Sequence, residues 1–367
     1  MDEEEGEQPE SPEEGSEVQP PRVVEPPEPT LAPDPEDVLL KSDADALGET
    51  DWLEQAVDIA YHAPNLTVPL YKFIQEGYGK LGRRLNQPLL TEGLSMLAKT
   101  ISGLGHVFVR LDLPGRSLVD IAAIQHLQHL RYVALPGNHL LDIRPLNQLH
   151  FLMQLDLSDN YLLSMQPLEP HPFLKVINVS KNFLKDLRGI EEQPHLQRLY
   201  ISYNKLSAFN LSQTKFLKDL DTLEVRKNRL RTFDAVLPSL KTLFLAQNCI
   251  DTLGEFSCTP KLEFIDLRRN KIRSLQKWQI PYLKYLNLSW NYLENLEEVF
   301  GVLKDLPELQ TLVMSNNPVC ENMERLQQHA MVSCPALKRC NQMLVTKELR
   351  QEAAQQLLEE ENDKPSG

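Results

Sequence analysis

The segment LRYVALPGNHL, residues 130–140, sets a spacing of leucines around one asparagine that the chain then repeats. Seven further copies end with LKYLNLSWNYL at residues 283–293, and LQTLVMSNNPV at residues 309–319 closes the series. Successive asparagines of the eight full copies are separated by 22, 22, 22, 24, 20, 22 and 21 residues. So regular a period indicates one repeat architecture, not a set of separate globular domains.

The repeated unit is a leucine-rich repeat of about 22 residues. In each copy L-x-x-L-x-L predicts a short strand with inward leucines, which one copy cannot bury without its neighbours. VRLDLPGRSL at residues 109–118 is a degenerate first unit with Arg116 one period before the first asparagine. The sequence therefore predicts an α/β fold. Its form is a leucine-rich-repeat solenoid with a curved parallel sheet on the concave side, short helices or turns on the convex side, and helical N- and C-caps.

Each repeated asparagine follows a strand, at the point where the chain turns inward. Its amide donates and accepts hydrogen bonds, so it can satisfy backbone groups that would cost about 1–3 kcal/mol each if left unpaired. The predicted structural series is Asn138, Asn160, Asn182, Asn204, Asn228, Asn248, Asn270, Asn291 and Asn317. None of these residues is expected to bind a ligand or to take part in catalysis.

The regions outside the repeats differ from them in composition. Residues 1–48 hold nine prolines and many acidic residues, which predicts a disordered tail. PPRVVEPPEP could present a polyproline II ligand there, and a solvated acidic spacer is the alternative. The other predicted segments are a partly helical extension at 49–88, an N-terminal cap helix and lead-in at 89–110, the repeats at 111–317, a C-terminal cap at 318–344 and a charged helical tail at 345–367.

Apolar residues at helical spacing predict where the caps lie. LLTEGLSMLAKTIS at residues 89–102 has one apolar stripe, which predicts an N-terminal cap helix. Its members are Leu90, Leu94, Leu97 and Ile101. Pro318 ends the strand register, and a helix is expected to follow it. Residues 345–362 are rich in helix-forming residues and should form either a solvated helix or one that pairs with a partner.

The net charge of −14 comes from the N-terminal region. Residues 1–50 hold 17 acidic and two basic residues, which leaves 36 basic and 35 acidic residues in the rest of the chain. A near-neutral body lacks the basic excess that nucleic-acid binding usually needs, and anionic lipid repels an acidic tail. The sequence shows no signal peptide and no membrane span, and its five cysteines are odd in number and late in the chain. It therefore predicts a cytoplasmic protein with reduced thiols.

Residues with catalytic or metal-binding chemistry are scattered. His126 and His129 have no third ligand nearby, and Cys334 and Cys340 have no second pair. No nucleophile–base arrangement or phosphate-binding loop occurs. We therefore expect no enzyme activity, metal, cofactor or small-molecule substrate. The tryptophans are expected to be packing residues: Trp52, Trp278 and Trp290.

We expect function on the concave face, where the residues between the inward leucines point outward. Aromatic and arginine side chains recur at these positions, as they do in the centres of protein–protein interfaces. The candidate partner-binding residues are Tyr132, Arg198, Tyr200, Arg226, Phe244, Phe264, Arg268 and Tyr285. Asp266 and Asn287 are expected to point outward beside them. The alternative is that all of these are ordinary β-forming residues.

A resemblance to a known family adds to this interpretation. The asparagine-type 22-residue repeat resembles the intracellular class of leucine-rich-repeat proteins. Residues 90–149, LKTLFLAQN at 240–248 and LKDLPELQTLVMSNNP at 303–318 are similar to the leucine-rich repeat-containing protein twenty-three family. The resemblance implies a structural scaffold in the axoneme of cilia and sperm flagella, at the radial spoke. The first 88 residues depart from that family pattern.

Three functions remain open from the sequence. The first is an axonemal scaffold that binds radial-spoke components. The second is a regulatory subunit that docks an enzyme, such as a protein phosphatase, on the concave face. The third is a component of a ribonucleoprotein, which the near-neutral repeats disfavour.

Overall fold

The computed structural model describes residues 82–362, apart from 101–102, 210–213, 255 and 257. The predictions for the acidic tail at 1–48, for most of the extension at 49–88 and for Trp52 lie outside these residues. Helices and strands are labelled in chain order below.

The repeats form strands of mostly three residues, each centred on one buried residue. The strands are β1 Arg83–Arg84, β2 Leu94–Lys99, β3 His106–Asp112, β4 Leu118–Asp120, β5 Tyr132–Ala134, β6 Gln154–Asp156, β7 Val176–Asn178, β8 Arg198–Tyr200, β9 Thr222–Glu224, β10 Thr232–Phe233, β11 Thr242–Phe244, β12 Thr252–Leu253, β13 Phe264–Asp266, β14 Tyr285–Asn287, β15 Thr311–Val313, β16 Arg339–Cys340 and β17 Met343–Leu344. The helices are α1 Gln87–Gly93, α2 Leu296–Leu303, α3 Met323–Ser333 and α4 Lys347–Asn362.

Thirteen of these strands form one sheet in the order β17-β16-β15-β14-β13-β11-β9-β8-β7-β6-β5-β3-β2. The pairs from β3 to β16 are parallel, and the outermost pair at each end is antiparallel. Neighbouring repeats are aligned residue for residue, so that Leu243 pairs with Leu223 on one side and with Ile265 on the other. This register confirms the predicted solenoid with a parallel sheet along one side.

The core is a continuous row of leucines and isoleucines beneath the sheet. The central residues of neighbouring strands, such as Leu155, Ile177 and Leu199, are completely buried. Each contributes roughly 1.5–3 kcal/mol through the removal of apolar surface from water. Because every repeat buries its leucines against the next, the interior has no boundary between repeats.

The convex side changes along the array. Early repeats have short 3₁₀-helices there, at Ala122–His126 and Arg144–Gln148. Later repeats have extended segments instead, and β10 pairs with β12 in a small parallel sheet. The interval from Asn291 to Asn317, longer than the others, accommodates α2, whose first turn Asn295 caps by accepting from two backbone N–H groups.

The N-terminal cap differs from the prediction. The helix predicted over residues 89–102 is wrong over residues 94–99, because α1 ends at Gly93 and residues 94–99 form β2. Strand β2 pairs antiparallel with β3 and covers the open edge of the sheet. The stripe therefore does not share one helix face: Leu90 is buried, whereas Leu97 is exposed. Hydrogen bonding to an edge that would otherwise be unpaired outweighs the helical spacing of this segment.

The C-terminal cap contains the helix expected after Pro318. A 3₁₀ turn at Pro318–Cys320 leads into α3, and Asn322 caps α3 by accepting from the N–H of Arg325. Helix α4 packs on α3 through the buried Ala353. The guanidinium of Arg350 donates to the backbone oxygens of Cys334 and Leu337 at 3.0 and 2.9 Å, which satisfies carbonyls beyond the end of α3.

Candidate protein-binding face

The strands position the candidate residues by simple alternation. The middle residue of each strand points into the core, and the residues on either side of it point outward. Because the strands are in register, the first residues form one row across the sheet and the third residues form another. We call these outward rows on strands β5 to β15 the concave face.

The asparagine series lies just beyond the strand ends, and all nine members are buried. Asn270 is typical: its Nδ2 donates to the oxygens of Leu267 at 2.9 Å and Leu245 at 3.0 Å, and its Oδ1 accepts from the N–H of Ile250 at 3.1 Å. Each such amide links its own repeat to the preceding one. The side chains are buried and hydrogen-bonded to backbone groups, which favours a structural role.

The residue before these asparagines adopts a left-handed backbone conformation. Lys181, Tyr203 and Lys227 have φ values of 56°, 57° and 50°. This conformation is unfavourable for residues other than glycine. It orients the N–H toward the next repeat, where that of Lys181 donates to the oxygen of Ser202 at 2.8 Å. The repeat thus requires left-handed backbone at this position, although glycine occupies it only at Gly115 and Gly137, at the start of the array.

Three aromatic rings meet in the C-terminal half of the concave face. The ring centroids of Phe264 and Tyr285 are 4.3 Å apart with planes only 5° from parallel. The ring of Phe244 lies 5.0 Å from that of Phe264 and is tilted by 54°. The guanidinium carbon of Arg226 lies 4.3 Å from the centroid of Phe244, in cation–π geometry. We call Arg226, Phe244, Phe264 and Tyr285 the aromatic cluster.

Charged groups surround the aromatic cluster. Arg226 faces Glu224 at 3.9 Å, and the Nε of Arg268 lies 3.3 Å from the Oδ2 of Asp266. Asp266 is only 4% exposed. Burial raises the pKa of this carboxyl above its usual value, although Arg268 and, more weakly, Arg226 oppose the shift. The surface therefore combines apolar rings with charges of both signs.

Asp266 and Asn287 have the outward positions that the sequence predicts, but neither side chain is open to solvent. Both occupy outward rows, but both are buried, at 4% and 7% exposure. Arg268 shields Asp266, and Asn287 accepts from the N–H and hydroxyl of Ser289 at 3.0 and 2.6 Å. Side chains two positions further along the same repeat therefore help to cover positions that alternation alone would leave open.

The structure brings together only some of the predicted partner-binding residues. Arg226, Phe244, Phe264 and Tyr285 contact one another, and Arg268 joins them through Asp266. Three others lie on strands toward the N-terminal end of the sheet: Tyr132 on β5, and Arg198 and Tyr200 on β8. Tyr200 nevertheless pairs in register with Glu224, beside the aromatic cluster, so only Tyr132 lies several strands away from it.

A second surface was not recognised from the sequence. It lies beyond the C-terminal ends of the strands, where side chains on either side of each asparagine line up from repeat to repeat. The rings of His139 and Tyr161 are 5.3 Å apart, and those of Tyr161 and Phe183 are 6.1 Å apart. Burial lowers the pKa of His139, with Asp159 opposing the shift. Reading the residue after each asparagine as one column would have revealed this alignment.

The tryptophans differ from one another. Trp278 is buried, in edge contact with Phe256 at 5.4 Å, as a packing residue. Trp290 does not conform to the packing prediction, because it is 40% exposed, with Arg269 placed 5.6 Å from its ring centroid. It occupies the position before Asn291, which points away from the core.

The described residues hold little reactive chemistry. Among them, no group of three or more His, Cys, Asp or Glu side chains could hold a metal ion. All five cysteines are free thiols. Burial raises the pKa of Cys334 to about 11 and that of Cys340 to about 12, so neither is a nucleophilic thiolate at neutral pH. Within the same part of the chain, no helix has both the length and the apolar character needed to cross a bilayer.

Comparisons with known proteins agree with the repeat architecture. A sequence-family model described as Leucine rich repeat matches residues 231–272. Leucine-rich repeat-containing protein 23 of Xenopus tropicalis is 43% identical over 274 residues, which cover 74% of this chain and 77% of that protein. The Homo sapiens protein of the same name is 36% identical over 287 residues, covering 77% of this chain and 82% of that one.

Solved structures share the fold. A leucine-rich-repeat protein of Leptospira interrogans superposes with a TM-score of 0.55 at 27% identity. The superposition covers 63% of this chain and 60% of that chain. It supports the solenoid and identifies no partner.

Proposed function

Because the chain belongs to the leucine-rich repeat-containing protein 23 family, we propose that it is a non-catalytic protein-binding scaffold of the ciliary or flagellar axoneme. In this proposal it links components of the radial spoke. It holds a protein partner on the C-terminal half of its concave face, with the aromatic cluster at the centre of the contact.

The observation that carries the proposal is the stack of Phe264 on Tyr285, with Phe244 and Arg226 beside it. All four side chains are only partly buried, so the three rings and the guanidinium retain surface that water contacts. The fold does not need aromatic residues there, because Thr222 and Thr242 occupy the same row in neighbouring repeats. Aromatic and arginine side chains are enriched among residues that dominate binding energy.

Mixed charge favours a protein over a polyanion as the partner. Glu224 and Asp266 accompany the two arginines at the aromatic cluster, so the site presents no uniform positive field. A protein surface can match alternating charges around an apolar centre, which is the usual anatomy of an interface. The axonemal part of the proposal rests on the family membership and not on the geometry of the face.

Affinity purification tests both parts. The tagged full chain would be used to capture proteins from ciliated or sperm tissue, and these would be identified by mass spectrometry. The test variant is Phe244→Ala with Tyr285→Ala. The matched control is Val176→Ala with Asn178→Ala, which truncates the corresponding rows in β7. Circular dichroism and thermal unfolding would establish that all variants remain folded.

We expect the native chain and the control to recover radial-spoke components, and the test variant to lose them. Recovery of a phosphatase catalytic subunit instead would favour the regulatory alternative. Immunostaining restricted to cytosol or nucleus, with none in cilia or flagella, would contradict the axonemal assignment. Equal recovery by the test variant and the control would place the contact elsewhere on the molecule.

A further inference from the structure

The surface beyond the C-terminal ends of the strands is basic in the later repeats. The residues directly after Asn204, Asn228 and Asn270 are Lys205, Arg229 and Lys271. The residues directly before Asn182, Asn228 and Asn270 are Lys181, Lys227 and Arg269. We call these six cations the basic flank. Arg231 and Arg273 extend it two residues beyond Arg229 and Lys271.

Backbone hydrogen bonds hold the basic flank in register. The N–H of Lys205 donates to Leu184 O at 2.9 Å, that of Arg229 to Leu206 O at 2.8 Å and that of Lys271 to Ile250 O at 2.8 Å. Each residue after an asparagine is therefore fixed beside its counterpart in the previous repeat. Adjacent counterparts stand roughly 5 Å apart, the spacing of neighbouring parallel chains.

Aromatic rings orient several of these cations. The Nζ atoms of Lys181 and Lys227 lie 5.9 and 4.5 Å from the ring centroid of Tyr203. The Nζ of Lys205 lies 5.0 Å from the centroid of Phe183. Positive groups arranged over rings lose less conformational freedom on binding than free lysine side chains do. The flank is thus partly preorganised for an anionic ligand.

Carboxylates compensate this positive charge only in part. Arg229, Arg231, Arg269, Lys271 and Arg273 are exposed, and in the described part of the chain none of them forms an ion pair. The nearby acidic residues are Asp159 at the N-terminal end of the column, Asp251 and Glu294. Asp251 lies next to Arg231, since its N–H donates to Arg231 O at 3.2 Å, and its Oδ1 accepts from the hydroxyl of Thr252.

The excess of positive charge is local to the basic flank, because the chain outside the first 50 residues has almost equal numbers of basic and acidic residues. We therefore infer that the basic flank is a second docking surface, which binds a glutamate- or aspartate-rich segment of a partner protein. An extended acidic segment places same-side carboxylates roughly 6.5–7 Å apart, so it can follow cations that recur from repeat to repeat.

The ring arrangement favours an acidic protein segment over a single-stranded nucleic acid. Proteins bind single strands by stacking bases on open aromatic faces. Here the cations of Lys181 and Lys227 lie over the ring of Tyr203, and that of Arg269 lies over the ring of Trp290. These cations occupy ring faces on which bases would need to stack. Carboxylates require only the cations. The docking surface is separate from the aromatic cluster and does not depend on the proposed function.

Fluorescence anisotropy with the full chain and a labelled peptide of twelve glutamates tests this inference. The test variant is Arg229→Gln with Arg269→Gln and Lys271→Gln. The matched control is Lys175→Gln with Lys241→Gln and Lys261→Gln. It removes the same charge from exposed lysines near the opposite ends of the strands. We expect salt-sensitive binding that weakens about tenfold in the test variant and less than about twofold in the control.

Three results would overturn the inference. The first is the absence of peptide binding at low salt. The second is an equal loss in both triple variants, which would reflect net charge alone. The third is tighter binding of a uridine oligonucleotide of the same charge, which would assign the flank to nucleic acid. The Phe244→Ala, Tyr285→Ala variant should bind the peptide normally, and a loss there would move the peptide to the concave face.

Discussion

Strands β6 and β7 and strands β11, β13 and β14 belong to one sheet but present different outer surfaces. The outward residues of the first group are polar or small: Gln154, Asp156, Val176 and Asn178. Those of the second group include the stacked rings of Phe244, Phe264 and Tyr285. Their interiors are nevertheless alike, since the central residues of all five strands are completely buried and aliphatic. The same folding pattern therefore supports two surfaces, and specificity depends on positions that folding leaves free.

The largest effect should come from the shared interior, in both halves equally. We expect Leu155→Ala and Leu286→Ala each to lower the free energy of unfolding by about 2–5 kcal/mol, because both create a cavity in a close-packed core. Urea denaturation followed by circular dichroism measures the loss. A much smaller loss of unfolding free energy in one half than in the other would mean that the core is not continuous.

A slightly smaller effect should follow from breaking the asparagine links. Asn182→Ala leaves the buried N–H of Leu162 without its acceptor, and Asn270→Ala does the same to the N–H of Ile250. The oxygens of Leu157 and Leu245 each lose one of two donors and keep the Nδ2 of Asn160 and Asn248, respectively. Each buried group left unpaired costs about 1–3 kcal/mol. Thermal unfolding should show a similar decrease for both variants. An unchanged midpoint in either would contradict the structural role of that asparagine.

The two halves should differ in binding, not in stability. Phe264→Ala should weaken partner binding by about 2 kcal/mol, or roughly thirtyfold, because it removes the central ring of the aromatic cluster. Val176→Ala, at the same register position in the other half, should change the affinity less than twofold. Isothermal titration with the captured partner provides both numbers. Equal losses would remove the distinction between the halves.

The smallest effect concerns the pH dependence of stability near the aromatic cluster. Burial raises the pKa of the Asp266 carboxyl in the folded chain above its value in the unfolded chain. The protonated carboxyl therefore stabilises the fold fully below the unfolded-state pKa, and this stabilisation is lost as pH rises through the folded-state pKa. Relative to Asp266→Asn, the native chain should therefore become less stable as pH increases through that window. Chemical denaturation of both proteins from pH 3 to 7 checks this. A constant difference would contradict the direction of the shift.

The alternation of buried and outward residues could be predicted, but contacts between outward residues could not. Phe264 and Tyr285 are 21 positions apart, and the sequence indicates that both point outward without showing that their rings stack. Arg226 was a candidate because of its residue type, whereas its place over Phe244 depends on how repeats of unequal length align. The basic flank was missed because its members are dispersed in the sequence and the body is neutral on average.

The N-terminal cap shows a different limit. Helical spacing in residues 89–102 is a local signal, and the open edge of the neighbouring sheet is a non-local one. Residues 94–99 follow the sheet edge and become a strand. The requirement of exposed backbone groups for hydrogen bonds outweighed a preference that only a few side chains express.

The periodic leucines and asparagines alone determined the solenoid, its register and its interior, because stacked identical units have one way to bury an apolar face that recurs every 22 residues or so. Tertiary structure alone decided which outward side chains meet, which carboxylate is buried and where cations align. Those outcomes depend on distances between repeats and on the shielding of one side chain by another, and no local pattern encodes either.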